Sequence, residues 1–104
     1  MNKFSPLTES MYYILVSLIK PLHGYGIIKN VEEMSSGRVK LAAGTLYGAL
    51  TNLEKNKLII PTGIDPENKR RKMYQITDLG VKVLHDEIQR LEEMVRNGRG
   101  VLND

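Results

Sequence analysis

The stretch that decides the fold is Leu41-Ala42-Ala43-Gly44-Thr45-Leu46-Tyr47-Gly48-Ala49-Leu50-Thr51-Asn52-Leu53-Glu54-Lys55, together with the segment after it that ends Lys69-Arg70-Arg71-Lys72-Met73-Tyr74-Gln75-Ile76. From Gly44 to Lys55 the residues Leu46, Leu50 and Leu53 recur at helical spacing, so a short helix with one apolar stripe is expected. The rest of that helix carries no large aliphatic residue. It carries Gly44, Thr45, Tyr47, Gly48, Thr51, Asn52 and Lys55, small and hydrogen-bonding groups suited to approaching base edges and phosphates closely. A helix of this kind followed by four adjacent cations points to duplex DNA, because such a cluster suits a polyphosphate better than a small metabolite.

Downstream, Leu58 to Asp65 and Arg70 to Ile76 read as two strands joined at the turn-rich Asp65-Pro66-Glu67-Asn68. Pro61 places the first of them at an edge, since proline cannot donate to a ladder. Alternation puts Lys72, Tyr74 and Ile76 on one face and Arg71, Met73 and Gln75 on the other. The pair forms a wing. Upstream, Arg38-Val39-Lys40-Leu41 alternates like a short extra strand. Before it, a helix from about Tyr25 to Met34 turns Ile27, Ile28, Val31 and Met34 inward and stops at Ser36-Gly37.

A first helix spans Leu7 to Lys20, capped by Thr8 or Ser5 and ended by Pro21. Leu7, Met11, Ile14 and Leu18 form its core-facing stripe, while Tyr12, Leu15 and Ile19 are rotated away and suit a partner subunit. The last helix begins at Thr77, with Asp78 in its first turn, and runs to about Arg96. Along it Val81, Leu84, Ile88, Leu91 and Val95 repeat at spacings of three and four with Met94 beside them, a coiled-coil-like seam. Such a helix overhangs a small core and calls for a partner. His85, Asp86 and Glu87 read as its solvated face.

Charge supports this layout. The formal net charge is +3, and residues 38–77 hold eight cations against three anions, whereas residues 1–37 balance and residues 78–104 hold four cations against six anions. The positive charge lies on the DNA-facing segment. There is no cysteine, so disulfides, thiolate metal sites and cysteine nucleophiles are excluded. Met1-Asn2-Lys3-Phe4-Ser5-Pro6 has no secretory apolar run, and no stretch is apolar for long enough to span a bilayer, so a soluble cytoplasmic protein with no membrane partner is expected.

With the segments aligned, nearly the whole chain resembles a short member of the PadR family of bacterial transcriptional regulators. The resemblance rests on Leu22-His23-Gly24-Tyr25-Gly26-Ile27, on Gly44-Thr45-Leu46-Tyr47 with Ala49-Leu50 and Leu53-Glu54, and on Leu58-Ile59. Arg70-Arg71-Lys72, Tyr74 and Ile76-Thr77-Asp78-Leu79-Gly80 complete it. It implies a mainly α winged helix-turn-helix, with a three-helix core and a two-stranded wing over residues 1–76 and a C-terminal dimerisation helix and short tail over 77–104. It further implies a homodimeric repressor on an inverted-repeat operator, released by a small hydrophobic or phenolic effector. The DNA-contacting set is then His23, Tyr25, Lys40, Thr45, Tyr47, Gly48, Thr51, Asn52, Lys55, Lys69, Arg70, Arg71 and Lys72. The dimer interface is Tyr12, Leu15, Ile19, Val81, Leu84, Ile88, Leu91 and Val95, and Tyr12, Leu15, Ile88, Leu91 and Val95 also line the effector site.

Two departures from the family pattern stand out. Ala42-Ala43 replaces the usual Ser-Pro pair before Gly-Thr, leaving the cap of the third helix to Thr45 or water. There is no tryptophan, where some members place tryptophans in a drug pocket, and this counts against a flat aromatic drug.

Plainer readings compete at several positions. Tyr47 either meets bases or packs its ring and offers only its hydroxyl to a phosphate. Two glycines in an exposed helix, each costing ~1 kcal/mol relative to alanine, need a reason such as close approach to a groove. His23, a lone histidine without a nearby carboxylate or cysteine, reads as structural at the start of a helix whose free amides favour a phosphate. A winged-helix protein-interaction module without DNA binding is the alternative function. No cofactor, metal site or catalytic residue is expected, because no nucleophile elbow, metal cluster or phosphate loop unites the polar residues.

Overall fold

A computed structural model describes residues 3–103; Met1, Asn2 and Asp104, the ends of the two expected segments, lie outside the described residues. Seven elements follow in order: α1 (Glu9–Ser17), β1 (Leu22–His23), α2 (Gly24–Met34), α3 (Ala43–Lys55), β2 (Ile59–Asp65), β3 (Asn68–Ile76) and α4 (Asp78–Leu102). The strands form one antiparallel sheet ordered β1-β3-β2. This is a mainly helical winged-helix architecture, as expected. It has one strand more than a two-stranded wing, because Leu22 and His23 pair with Tyr74 and Met73. The expected strand at Arg38–Leu41 is absent. That segment alternates because Val39 and Leu41 pack against the core, but it has no ladder partner, and the Val39 N–H donates instead to Ser35 Oγ at 3.0 Å.

Ile14, Leu15, Leu18, Ile27, Val31, Leu46, Leu50, Leu53, Leu58 and Ile59 form a dry centre, closed by Tyr74, Ile76, Val83 and Leu84. The leucine stripe of α3 is buried as its spacing requires. Helix α1 differs from expectation in two ways. Thr8 caps it by accepting from the Met11 N–H at 3.1 Å, but it ends at Ser17, where a tightened turn brings the Leu18 N–H to Leu15 O at 3.1 Å. The carbonyl of Leu18 is thereby free to accept from the Ile76 N–H at 2.8 Å, tying the helix end to β3. The expected division into two stripes also fails. Leu15 is 0% exposed in the chain's own core, because α1 packs against both α2 and α4. Only Tyr12, half-buried, and Ile19, exposed, lie on the outer side.

Helices α2 and α3 both end in Schellman turns. The Gly37 N–H reaches Glu32 O past Ser36 in the left-handed region, and the Leu58 N–H reaches Leu53 O past Lys57 in the same conformation. Met34, expected to point inward, is exposed next to the first of these turns.

Helix α4 starts on Thr77, whose hydroxyl accepts from the Gly80 N–H at 3.1 Å. At Gly80 it crosses the connection between α3 and β2 so closely that a Cβ would lie 2.3 Å from the Leu58 carbonyl oxygen. The helix then leaves the core. Its buried residues are Gly80, Val83, Leu84 and Glu87, and none beyond Glu87 is buried. The seam expected from Val81 to Val95 is therefore split: Leu84 is buried and Val81 half-buried against the chain's own core, while Ile88, Leu91, Met94 and Val95 are exposed. At 25 residues the helix is about 38 Å long. The radius of gyration, 15.0 Å, exceeds the roughly 13 Å of a compact chain this size because of this overhang.

Glu87 corrects another expectation. It is 2% exposed and accepts from Ser5 Oγ at 2.6 Å, the Leu7 N–H at 2.6 Å, and Arg90 Nε at 2.9 Å and Nη2 at 2.8 Å. The Arg90 guanidinium, helped by those two donors and against the effect of burial, lowers its pKa to about 2. Far from being solvated, it clamps the N-terminal arm to α4.

Candidate nucleic-acid interface

The outward face of α3 carries Gly44, Thr45, Tyr47, Gly48, Thr51, Asn52 and Lys55, all exposed. A Cβ added to Gly44 or Gly48 would meet nothing within 4 Å. These glycines therefore answer no packing demand of the chain itself, and alanine would be the better helix former. The helix starts at Ala42 with no side-chain cap, so Thr45 does not take that role. Thr51 Oγ1 donates back to Tyr47 O at 2.9 Å, leaving its lone pairs outward. Tyr47 is 50% exposed and leans on α2, where a Cβ on Gly24 would lie 2.6 Å from its hydroxyl oxygen. Of the two readings for Tyr47, this geometry fits the half-packed ring with an available hydroxyl.

The wing follows α3 in the chain, and its strand β2 packs against that helix. Its turn is closed by the Glu67 N–H donating to Asp65 Oδ1 at 2.9 Å and the Arg70 N–H to Asn68 Oδ1 at 3.0 Å. The ladder is irregular between Pro61 and Gly63 and again between Ile64 and Asp65, which twists β2, the edge strand that Pro61 indicated. Lys69, Arg70, Arg71 and Lys72 are all exposed, with the Lys72 ammonium 5.5 Å from the centre of the Tyr74 ring. Lys40 is exposed just before α3. Arg38 is bound in an exposed ion pair with Glu9.

At the start of α2 the structure joins residues that sequence spacing left apart. His23 caps the helix, its Nδ1 accepting from the Gly26 N–H at 3.0 Å. Its ring stacks on Tyr25 with centroids 6.5 Å apart and planes 12° apart. The Arg71 guanidinium carbon lies 5.7 Å from the centre of the Tyr25 ring and Lys29 Nζ 5.6 Å from it. A carboxylate is close after all: Asp65 Oδ2 is 3.9 Å from His23 Nε2 and 3.9 Å from Arg71 Nη1. Lys29 and Asp65 were missed. Lys29 was legible as the residue one helical turn beyond Tyr25; Asp65, across the sheet, was not. Among the described residues no group of three histidine, cysteine or carboxylate side chains fits a metal ion, and no helix is long and apolar enough to cross a membrane.

A second surface opens on the other side. Tyr12, Ile88, Leu91 and Val95, with Glu92 and Arg96, line an open groove of about 700 Å³ between α1 and the free half of α4. This set keeps four of the five residues expected at an effector site. Leu15, sealed in the core, is not among them.

The chain is similar to several known proteins. The chain is 39% identical over 67 residues, 64% of its length, to a 37.1 kDa protein of transposon TN4556 from Streptomyces fradiae, and spans 18% of that protein. A transcriptional regulator from Clostridium thermocellum superposes with a TM-score of 0.73 at 26% identity, over 99% of this chain and 95% of that one. A PadR family transcriptional regulator from Eggerthella lenta gives 0.67 at 28%, over 90% and 80%. A PadR-like regulator from Bacillus cereus shares the fold at 0.74 and 22% identity, over 97% and 96%. Residues 13–86 match the transcriptional regulator PadR-like family, most of the chain from α1 to the middle of α4. The chain belongs to that family of transcriptional regulators.

Proposed function

We propose that this chain is a homodimeric repressor that occupies an inverted-repeat operator and is released by a small hydrophobic or phenolic effector. Residues 1–76 form the DNA-binding unit and residues 77–104 the dimerisation helix. The observation that carries this reading is the outward face of α3, with its glycines without packing partners and its hydrogen-bonding side chains, together with four exposed cations in the wing. Thr45, Gly48, Thr51, Asn52 and Lys55 approach the major groove, Lys40 and the wing meet phosphates, and Tyr47 and Tyr25 border the contact. The exposed Ile88, Leu91, Met94 and Val95 meet their equivalents in a second subunit, with Tyr12 and Ile19 at the margin. The groove at Tyr12, Ile88, Leu91 and Val95 receives the effector, whose binding alters the spacing of the two α3 helices.

A mobility-shift titration against the chain's own promoter region tests this. Each neutralised phosphate contributes about 0.9 to the logarithmic salt slope on duplex DNA. Replacing both Arg70 and Arg71 by alanine is therefore expected to lower the slope by about 1.8 and to weaken operator and random duplex alike. An unchanged slope removes the wing from the DNA-binding surface, and absence of any shift by the native chain contradicts the reading as a whole.

A further inference from the structure

Asp65 is a carboxylate placed among the cations of the wing, where by charge alone it opposes a phosphate. It is 9% exposed, and a buried charge persists only with partners. Its two oxygens have different tasks. Oδ1 accepts from the Glu67 N–H at 2.9 Å and closes the turn, while Oδ2 faces His23 and Arg71, each 3.9 Å away. Because His23 Nδ1 accepts from the Gly26 N–H, the ring's N–H is on Nε2, on the side of Asp65. Arg71 Nη1 is 3.5 Å from that nitrogen. Both are then donors, so they do not bond each other and share the one carboxylate. Tyr25 completes the set, stacked on His23 and lying under Arg71.

Resting on the DNA-binding reading above, we propose that Asp65 is a positioning residue for DNA recognition: it holds Arg71 of the wing and His23 of the α2 cap so that the two elements meet the DNA backbone as one rigid unit. A guanidinium already seated against a ring and a carboxylate loses less freedom on meeting a phosphate than one free in solvent. The carboxylate thus strengthens binding although its charge repels the ligand.

The sign of that effect makes the test. The native chain, Asp65→Asn, Arg71→Ala and the double variant are titrated by fluorescence anisotropy into a labelled random-sequence duplex over a series of salt concentrations. Asparagine keeps an acceptor for the Glu67 N–H and removes only the charge. Asp65→Asn is expected to bind about 5-fold more weakly and to lower the salt slope by about 0.9, one phosphate contact. In the Arg71→Ala background the same change is expected to weaken nothing further. Tighter binding by Asp65→Asn at an unchanged slope overturns the proposal and leaves Asp65 as plain repulsion. Arg71→Lys, which keeps the charge on an exposed side chain and loses the guanidinium geometry, covers the case in which Asp65→Asn does not fold. It is expected to bind about 3-fold more weakly than the native chain, and equal binding overturns the proposal. A failure of positioning leaves native binding intact, whereas a native chain that ignores the duplex overturns the DNA-binding reading and this proposal with it.

Discussion

Helices α3 and α4 each leave a face uncovered, and the two faces differ in kind. On α3 the buried stripe of Leu46, Leu50 and Leu53 completes the core, and what remains outside is polar and mostly small apart from the half-packed Tyr47, with two glycines that pack against nothing. On α4 the core is complete at Glu87, and what remains outside carries an apolar stripe, Ile88, Leu91, Met94 and Val95, among charged residues such as Glu92 and Arg96. A polar face of mostly small groups suits a hydrated, hydrogen-bonding groove, and an apolar stripe suits another protein surface. On the proposed reading, the contrast gives DNA to one helix and a second copy of the chain to the other.

The most forceful way to break this contrast is to put charge on the apolar face. Replacing Leu91 and Val95 by glutamate is expected to weaken self-association by about 1000-fold or more and to abolish binding to a two-fold operator, with a monomer seen by sedimentation and a fold unchanged by circular dichroism. A stable dimer in that variant would move the interface elsewhere.

Glu87 stands where α4 passes from buried to open. Its folded pKa of about 2 lies below the ordinary 4.5, so its ionised form favours the fold. That contribution is fully present above about pH 4.5 and is lost as the pH falls through 2, and at neutral pH it is worth roughly 3 kcal/mol. Glu87→Gln is therefore expected to be markedly less stable than the native chain in urea at pH 7, with the gap narrowing as the pH is lowered toward 2. A constant gap would show that the clamp acts through shape rather than charge.

On the polar face the expected effect is smaller and two-signed. Gly48→Ala is expected to raise stability by up to ~1 kcal/mol while weakening operator binding about 5-fold by adding bulk where the groove approaches. A stability gain with operator binding unchanged would mean that Gly48 faces solvent only. Gly80 is the converse, since a methyl group there meets the Leu58 carbonyl oxygen. Gly80→Ala is expected to cost about 1–3 kcal/mol of stability, measured by thermal melting.

The comparison also shows what periodicity reveals. The α3 stripe, the wing turn at Asp65–Asn68 and the Thr77 cap were legible because each is decided within a few residues. Leu15 was misplaced because a helical wheel reports angles and not neighbours, and α1 has neighbours on both sides. β1 is two residues long and exists only through β3, some 50 positions later. Glu87 read as solvated because its partners, Ser5 and Leu7, lie 82 and 80 positions away. Arg38–Leu41 had the alternation of a strand without a partner to make it one. In the interface, the cations and the open glycines could be read directly, whereas Asp65 and its joint hold on His23 and Arg71 required the folded sheet.

The most direct test of two α3 probes on one dimer is a hydroxyl-radical footprint on a duplex selected by the native chain from a random pool. Two protected patches related by two-fold symmetry and centred one helical turn apart, about 34 Å, are expected. A single unsymmetrical patch, or no selection of any duplex, would contradict the account.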